Sequence, residues 1–127
     1  MEKTIISCFK NRQQFFELQK MNPGLIIIKV GATWCKPCHA IKDIVHGFFA
    51  TSPDHVVCAD IDVDESFDYY AFLKSRKVVN GIPAILVYTR DNQNFMPNLI
   101  HTGSDLKTLD KFLKDCGTLA MKYSNPY

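Results

Sequence analysis

The run Leu25-Ile26-Ile27-Ile28-Lys29-Val30 constrains this chain more than any other stretch. It is β-branched and shows almost no polar alternation, the pattern of a strand covered on both faces. Such a strand needs helices above and below its sheet, which points to an α/β layer architecture. Asn22-Pro23-Gly24 just before it breaks whatever precedes the strand. With 127 residues the chain has the length of one domain. A domain of this size buries roughly two-thirds of its unfolded surface, enough for a core without metals or bridges.

The periodicity elsewhere fits that frame. Thr4 to Cys8 is a short β-prone run, and Asn11 caps a helix reaching about Met21, with Gln14 placed to reach back. After Gly31-Ala32-Thr33-Trp34 a second helix carries Ile41, Ile44, Val45 and Phe48 at i, i+3, i+4 and i+7, and Pro53 follows its end. Val56 to Ile61 reads as a strand, and Phe67, Tyr70 and Ala71 mark one face of a short helix. Asn80-Gly81 is a break, Ala84 to Tyr88 a strand, Arg90 to Asn94 a loop and Leu99 to His101 a weak edge strand. Leu106, Leu109, Leu113 and Cys116 stripe a last helix capped by Ser104. This order predicts a mixed central sheet of about five strands flanked by about four helices, spanning residues 1–121, with a frayed tail at 122–127.

Composition excludes several classes. At 46% hydrophobic and 22% charged the chain is neither disordered nor fibrous. Fifteen basic residues against thirteen acidic ones leave a net charge of +2, which argues against nucleic-acid binding. No stretch approaches the roughly 18 apolar residues of a membrane span. Met1-Glu2-Lys3-Thr4-Ile5-Ile6 lacks the apolar core of a secretion signal, so a cytoplasmic location is expected. Asp60, Asp62 and Asp64 suggest a calcium loop, but Glu65 stands at its glycine position and Ala71 at its bidentate glutamate position, so no metal is expected there.

Of five cysteines, Cys8, Cys58 and Cys116 are scattered in apolar contexts, while Cys35 and Cys38 are separated by two residues. Trp34-Cys35-Lys36-Pro37-Cys38 falls where the buried strand turns into a helix, placing Cys35 at the helix N-terminus, where a thiolate is favoured. The spacing sets the two sulfurs one helical turn apart, close enough to bond. Pro37 is tolerated there because the first turn has no intrahelical N–H bond to lose. Lys36 adds a nearby cation. A four-ligand zinc site would need a second close Cys or His pair, which is absent. Cys35-Lys36-Pro37-Cys38-His39 also matches the haem-attachment pattern, but that attachment follows export and belongs to small helical proteins. Dithiol redox chemistry is the reading the motif supports, and His39 is then a polar residue of the first helical turn.

These residues resemble the thioredoxin family over nearly the whole chain, through Ala32-Thr33-Trp34-Cys35-Lys36-Pro37-Cys38, Asp60-Ile61-Asp62, Gly81-Ile82-Pro83 and Gly103. The resemblance implies a thioredoxin fold, a cis peptide between Ile82 and Pro83 beside the cysteine pair, and a backbone edge at Ile82 that pairs with extended substrate. Trp34, Ile82 and Pro83 are then the substrate-binding residues and Cys35 and Cys38 the catalytic ones. Cys35 thiolate attacks a client disulfide, and Cys38 attacks Cys35 to release the reduced client. No bound cofactor is implied. The resulting disulfide would be reset by a flavoprotein reductase drawing on NADPH, because this chain has no dinucleotide-binding glycine fingerprint. A monomer is expected.

The chain departs from the family at several positions. Six residues before Cys35, where the family usually has a buried acid, stands Lys29. If buried and neutral, it can accept the Cys38 proton; if charged, it favours a thiolate; or it snorkels to solvent from a strand end. Lys29 and Lys36 are thus the candidate tuners of the pair. The resemblance places Cys58 where the family often has a lysine pairing with that acid. Asp43 replaces a common kinking proline, so the second helix is expected to run straighter or to bend near Gly47. Residues 90–98 form a turn about four residues longer than usual, a cheap insertion. The function expected is a thiol-disulfide oxidoreductase that reduces client proteins. The alternative is a dedicated partner-binding or thiol-oxidising relative with narrowed activity.

Overall fold

The structure is a computed structural model and describes residues 2–125. Its elements run β1 (Ile5–Ile6), α1 (Arg12–Lys20), β2 (Leu25–Gly31), α2 (Lys36–Ala40), α3 (Lys42–Ala50), β3 (Val56–Asp62), α4 (Phe67–Ser75), β4 (Ala84–Thr89), β5 (Leu99–Thr102) and α5 (Leu106–Lys122). The five strands form one sheet in the order β1-β3-β2-β4-β5. The first three are parallel, and β4 and β5 are antiparallel, so the sheet is mixed as expected.

All seven residues of β2 are buried, and its side chains alternate between two cores. Ile26, Ile28 and Val30 join Phe15 of α1 and Tyr69, Phe72 and Leu73 of α4 on one face. Leu25 and Ile27 join Ile41, Val45 and Phe49 around α3, and Leu109, Phe112, Leu113 and Cys116 of α5, on the other. Arg12 ties α1 to α4 through a two-pronged bond to the Asp68 carboxylate, 2.9 and 3.1 Å long, and lies over the Phe72 ring. That pairing holds the Asp68 carboxyl below its ordinary range.

Asn22 and Gly24 form the corner into β2. The buried Asn22 amide donates to Tyr88 O at 3.1 Å, and its carbonyl accepts the Gly24 N–H at 3.0 Å. A Cβ on Gly24 would lie 2.6 Å from the His55 ring and 2.8 Å from His55 O, so the chain passes too close for any side chain.

The helices differ in detail from the sequence periodicity. The single second helix is two, because the chain breaks at the fully buried Ile41, which caps α3. The bend therefore lies before Asp43 and away from Gly47, without a proline. The break also resets the helical phase, so Val45 and Phe49 are buried while Ile44 is exposed. In α4 the core face is Tyr69, Phe72 and Leu73, and Phe67 at the first position is exposed. Asp105, not Ser104, caps α5, its carboxylate accepting the Thr108 N–H at 2.9 Å, which lowers the Asp105 pKa. Helix α5 continues through Lys122, and Tyr123 is anchored beyond it. The Tyr123 hydroxyl donates to Asp91 at 2.9 Å, and Arg90 lies over the Tyr123 ring. The expected frayed tail is thus ordered at its start, and its residues 126 and 127 lie outside the described residues.

Phe15 has no exposure and meets the rings of Phe9, Phe16, Tyr69 and Tyr88 at centroid distances of 4.9 to 6.1 Å. Phe15→Ala is expected to cost about 3–5 kcal/mol, the range for emptying an aromatic core site, read as a fall in the chemical denaturation midpoint.

Candidate active site

The site lies where β2 runs out into α2. Cys35 is the N-cap of α2, and its Sγ accepts the Cys38 N–H at 3.2 Å, while Lys36 and Pro37 occupy the open first turn. Helix α2 is only five residues long, so this direct N–H contact, rather than an extended macrodipole, is what the Cys35 sulfur feels. The two sulfurs are joined in a disulfide with the Cα atoms 5.3 Å apart. Both cysteines are buried; Lys36 is exposed and reaches solvent beside them.

The loop that presents the pair is pinned by side chains. Asp62 at the end of β3 accepts the Thr33 N–H at 2.9 Å with one oxygen and the Asp64 and Glu65 N–H groups with the other. Its carboxylate organises backbone, and among the described residues no three His, Cys, Asp or Glu side chains converge as a metal site. His39, assigned above no more than a place in the helix, shares a 2.7 Å hydrogen bond with Thr33 O across the turn. Trp34 is two-thirds exposed, with its indole N–H donating to Asp64 at 3.0 Å, which fixes the ring as a rim on the site.

The Ile82–Pro83 peptide is cis. Ala84 pairs with Val30, so one step further along the antiparallel register Pro83 is level with Gly31. Gly31 in turn abuts Cys38: a Cβ there would sit 3.3 Å from the Cys38 sulfur. Ile82 is half-buried against the core that holds both cysteines. Among the described residues its backbone N–H and C=O make no hydrogen bond.

Lys29 is where the structure decides between open readings. Its side chain is only 5% exposed, so it does not snorkel to solvent. The same Cβ on Gly31 would sit 3.4 Å from Lys29 Nζ, so the ammonium and the Cys38 sulfur line one space. That space belongs to a cavity of about 210 Å³ whose lining includes Lys29, Cys38 and Asp60. Lys29 Nζ donates to Asp60 Oδ1 at 3.3 Å, and Asp60 Oδ2 is hydrogen-bonded to His46 Nε2. The partner of Lys29 is therefore Asp60 and not Cys58. The strand register sets Lys29 beside Asp60 and Cys58 beside Ile27. Cys58 packs in the core under α3 and α5, with Ser52 Oγ 3.5 Å from its sulfur. The resemblance pointed to a lysine and a thiol, Lys29 and Cys58, in place of the family's charge pair; the structure instead pairs Lys29 with Asp60, two residues further along β3. His46 was missed because its helix phase, reset at Ile41, decides that it faces β3.

Among the remaining thiols, burial pushes the Cys58 pKa up, and burial with the Asp115 charge pushes that of Cys116 up to about 12. Cys8 is half-buried, 3.5 Å from Glu65 O.

A family model described as Thioredoxin matches residues 7–115, and the chain belongs to the thioredoxin family. It is 42% identical over 52 residues to a thioredoxin of Ophiophagus hannah, a match covering 41% of this chain and 49% of that protein. It is 30% identical over 94 residues to thioredoxin 3 of Plasmodium falciparum, covering 72% of this chain and 48% of that one. The chain thus spans about half the length of these curated relatives. The oxidised form of mitochondrial thioredoxin 3 from Saccharomyces cerevisiae superposes with a TM-score of 0.66 at 27% identity, covering 87% of this chain and 94% of that one.

With Cys35 and Cys38 oxidised, a thiol-alkylating reagent at neutral pH is expected to label Cys8 and to leave Cys58 and Cys116 unmodified until the chain is unfolded. Mass spectrometry of labelled peptides before and after denaturant checks this.

Proposed function

We propose that this protein is a dithiol-disulfide oxidoreductase that reduces disulfides in client proteins. The observation that carries the reading is the Cys35–Cys38 disulfide, set at a helix start with a backbone N–H aimed at the first sulfur. In the reduced protein Cys35 attacks a client disulfide, giving a mixed disulfide and one client thiolate. Cys38 then attacks Cys35 Sγ, and the second client sulfur leaves. The contact from the Cys38 N–H favours the Cys35 thiolate. Trp34, Ile82 and Pro83 form the client-binding rim, with the unpartnered Ile82 backbone available to an extended client strand.

Lys29 and Lys36 tune the pair in this reading, Lys29 from the cavity beside Cys38 and Lys36 from solvent. A cation beside the resolving sulfur stabilises the reduced form and so raises the potential. That position of Lys29 favours a second reading, a relative with a narrowed client set or one that oxidises thiols. The redox potential separates the two.

Electrons reach the oxidised pair from an external reductase, for which an NADPH-dependent flavoprotein is the chemical class we favour. The three cysteines outside the pair are unbridged, which supports a reducing compartment, and we place the protein in the cytoplasm. Among the described residues no helix is long and apolar enough to cross a membrane. We take the working unit to be a monomer, with residues 1–121 as its functional domain.

The first test is the reduction of a protein disulfide driven by a small dithiol. Wild type is expected to accelerate it, Cys35→Ser to lose the acceleration, and Cys38→Ser to accumulate a mixed disulfide seen on a non-reducing gel. No acceleration by fully reduced wild type overturns the reading. Lys29→Met removes the cation beside Cys38 and disfavours its thiolate. The pH profile of dithiol exchange is therefore expected to move to higher pH, measured by stopped-flow thiol release.

A further inference from the structure

The cavity beside the disulfide meets one cysteine of the pair and not the other. Its lining includes Lys29, Gly31, Cys38 and Asp60, but not Cys35. Beside Gly31 the Cys38 sulfur and Lys29 Nζ lie 3.3 and 3.4 Å from the point where a Cβ would stand, so sulfur and ammonium flank one gap. Asp60 takes one of the three ammonium N–H groups, and among the described residues no other acceptor engages them. Asp60 also balances the Lys29 charge. Of the other charged or titratable groups on the lining, Asp62 has both oxygens on backbone N–H groups and His39 is held by Thr33 O. Lys42 and Glu65 are exposed. A cavity of about 210 Å³ with hydrogen-bond donors and a balanced charge beside Cys38 suits a small uncharged polar molecule, close to water in size.

We propose that the reduced protein also consumes hydrogen peroxide, with Cys38 as the attacking thiolate and Lys29 as the donor to the peroxide oxygen that leaves. This activity goes beyond client reduction and needs no client. Peroxide enters through the cavity and lies in the gap, one oxygen toward Cys38 Sγ and the other toward Lys29 Nζ. The Cys38 thiolate attacks the first oxygen. An S–O bond forms, and the O–O bond breaks with its electron pair on the second oxygen, which leaves as hydroxide and takes a proton from solvent. The sulfur is oxidised to a sulfenic acid. Cys35 thiolate then attacks Cys38 Sγ. The S–S bond forms as the S–O bond breaks, and hydroxide again leaves and is protonated by solvent. Two thiols and one peroxide thus become two waters and the Cys35–Cys38 disulfide that the structure holds. The Lys29 N–H acts where negative charge develops, on the departing oxygen, and that is where a fixed donor lowers a barrier. Client exchange uses Cys35 as the nucleophile, and the peroxide reaction reverses the roles of the two sulfurs.

The test uses the full chain, reduced, with hydrogen peroxide as the sole oxidant. Samples are quenched in acid, unfolded and treated with dimedone, and peptide mass spectrometry assigns sulfenic acid to Cys35, Cys38 or Cys8. In Cys35→Ser the label is expected on Cys38, and in Cys38→Ser the label on Cys35 is expected to appear far more slowly. Lys29→Met in the Cys35→Ser background is expected to slow oxidation of Cys38 by about 10²-fold, the effect of removing one such donor. Rates are compared on the high-pH plateau, where the thiol is ionised in every variant, so that a change in thiol acidity alone does not register. Gly31→Ala fills the gap while keeping the Lys29–Asp60 pair, and is expected to slow oxidation as well. It carries the test where thermal unfolding shows that Lys29→Met is misfolded. Oxidation of Cys35 in Cys38→Ser as fast as that of Cys38 in Cys35→Ser overturns the proposal. Plateau rates unchanged by Lys29→Met and Gly31→Ala overturn it too. A wild type that consumes peroxide with dithiothreitol as reductant but reduces no client protein refutes the functional reading without touching this one. A protein that reduces clients while Cys38 stays unoxidised in Cys35→Ser refutes this proposal alone.

Discussion

A strand with another strand on each edge and helices on each face has nowhere to send a polar side chain. That constraint on β2 organises the molecule. It forces Leu25, Ile27 and the α3 and α5 residues into one core, and Ile26, Ile28, Val30 and the α1 and α4 residues into the other. It also sets the terms for Lys29, the single charged residue in the strand. A buried ammonium is costly unless it is paired and hydrogen-bonded, and the parallel register supplies Asp60 at the matching level of β3. Because β2 leads straight into the cysteine loop, the same pairing lies beneath the chemistry.

The reactive pair is built from short-range devices. A five-residue helix, a capping sulfur, a carboxylate on three backbone N–H groups and a histidine on a carbonyl hold Cys35 and Cys38 in place. None of these is large alone. Together they fix the loop on a rigid sheet end, the arrangement that a site with demanding sulfur geometry requires. Gly31 completes it, since the sulfur of Cys38 and the ammonium of Lys29 both come within van der Waals range of where a side chain would begin.

Exposure and burial then divide the five thiols. Cys38 lines a cavity with Cys35 bonded to it and Cys8 is half-buried, whereas Cys58 and Cys116 are embedded in the α3–α5 core, where the low dielectric keeps them protonated and inert. The break at Ile41 serves the same end of the molecule. It lets a short helix present the cysteines while a second, differently phased helix buries Val45 and Phe49 and turns His46 toward β3.

What the amino-acid sequence determined by itself was whatever local pattern carries. The unbroken apolar run of β2, the order of strands and helices, the two-residue spacing of Cys35 and Cys38 and the family motif at Gly81-Ile82-Pro83 each follow from neighbouring residues and led to the fold and the redox pair. Where a single-turn shift mattered, local pattern failed. Ser104 and Asp105 are both good caps, and Phe67 and Phe72 both fit an apolar stripe. Only the packing of each helix against the sheet chose between them. The partner of Lys29 was beyond reach for a deeper reason. Cys58 and Asp60 lie two residues apart on the same face of one strand, and which of them stands beside Lys29 is set by the register between β2 and β3. Register is a property of the assembled sheet, and so is the link from Asp60 to His46, which no spacing along the chain encodes.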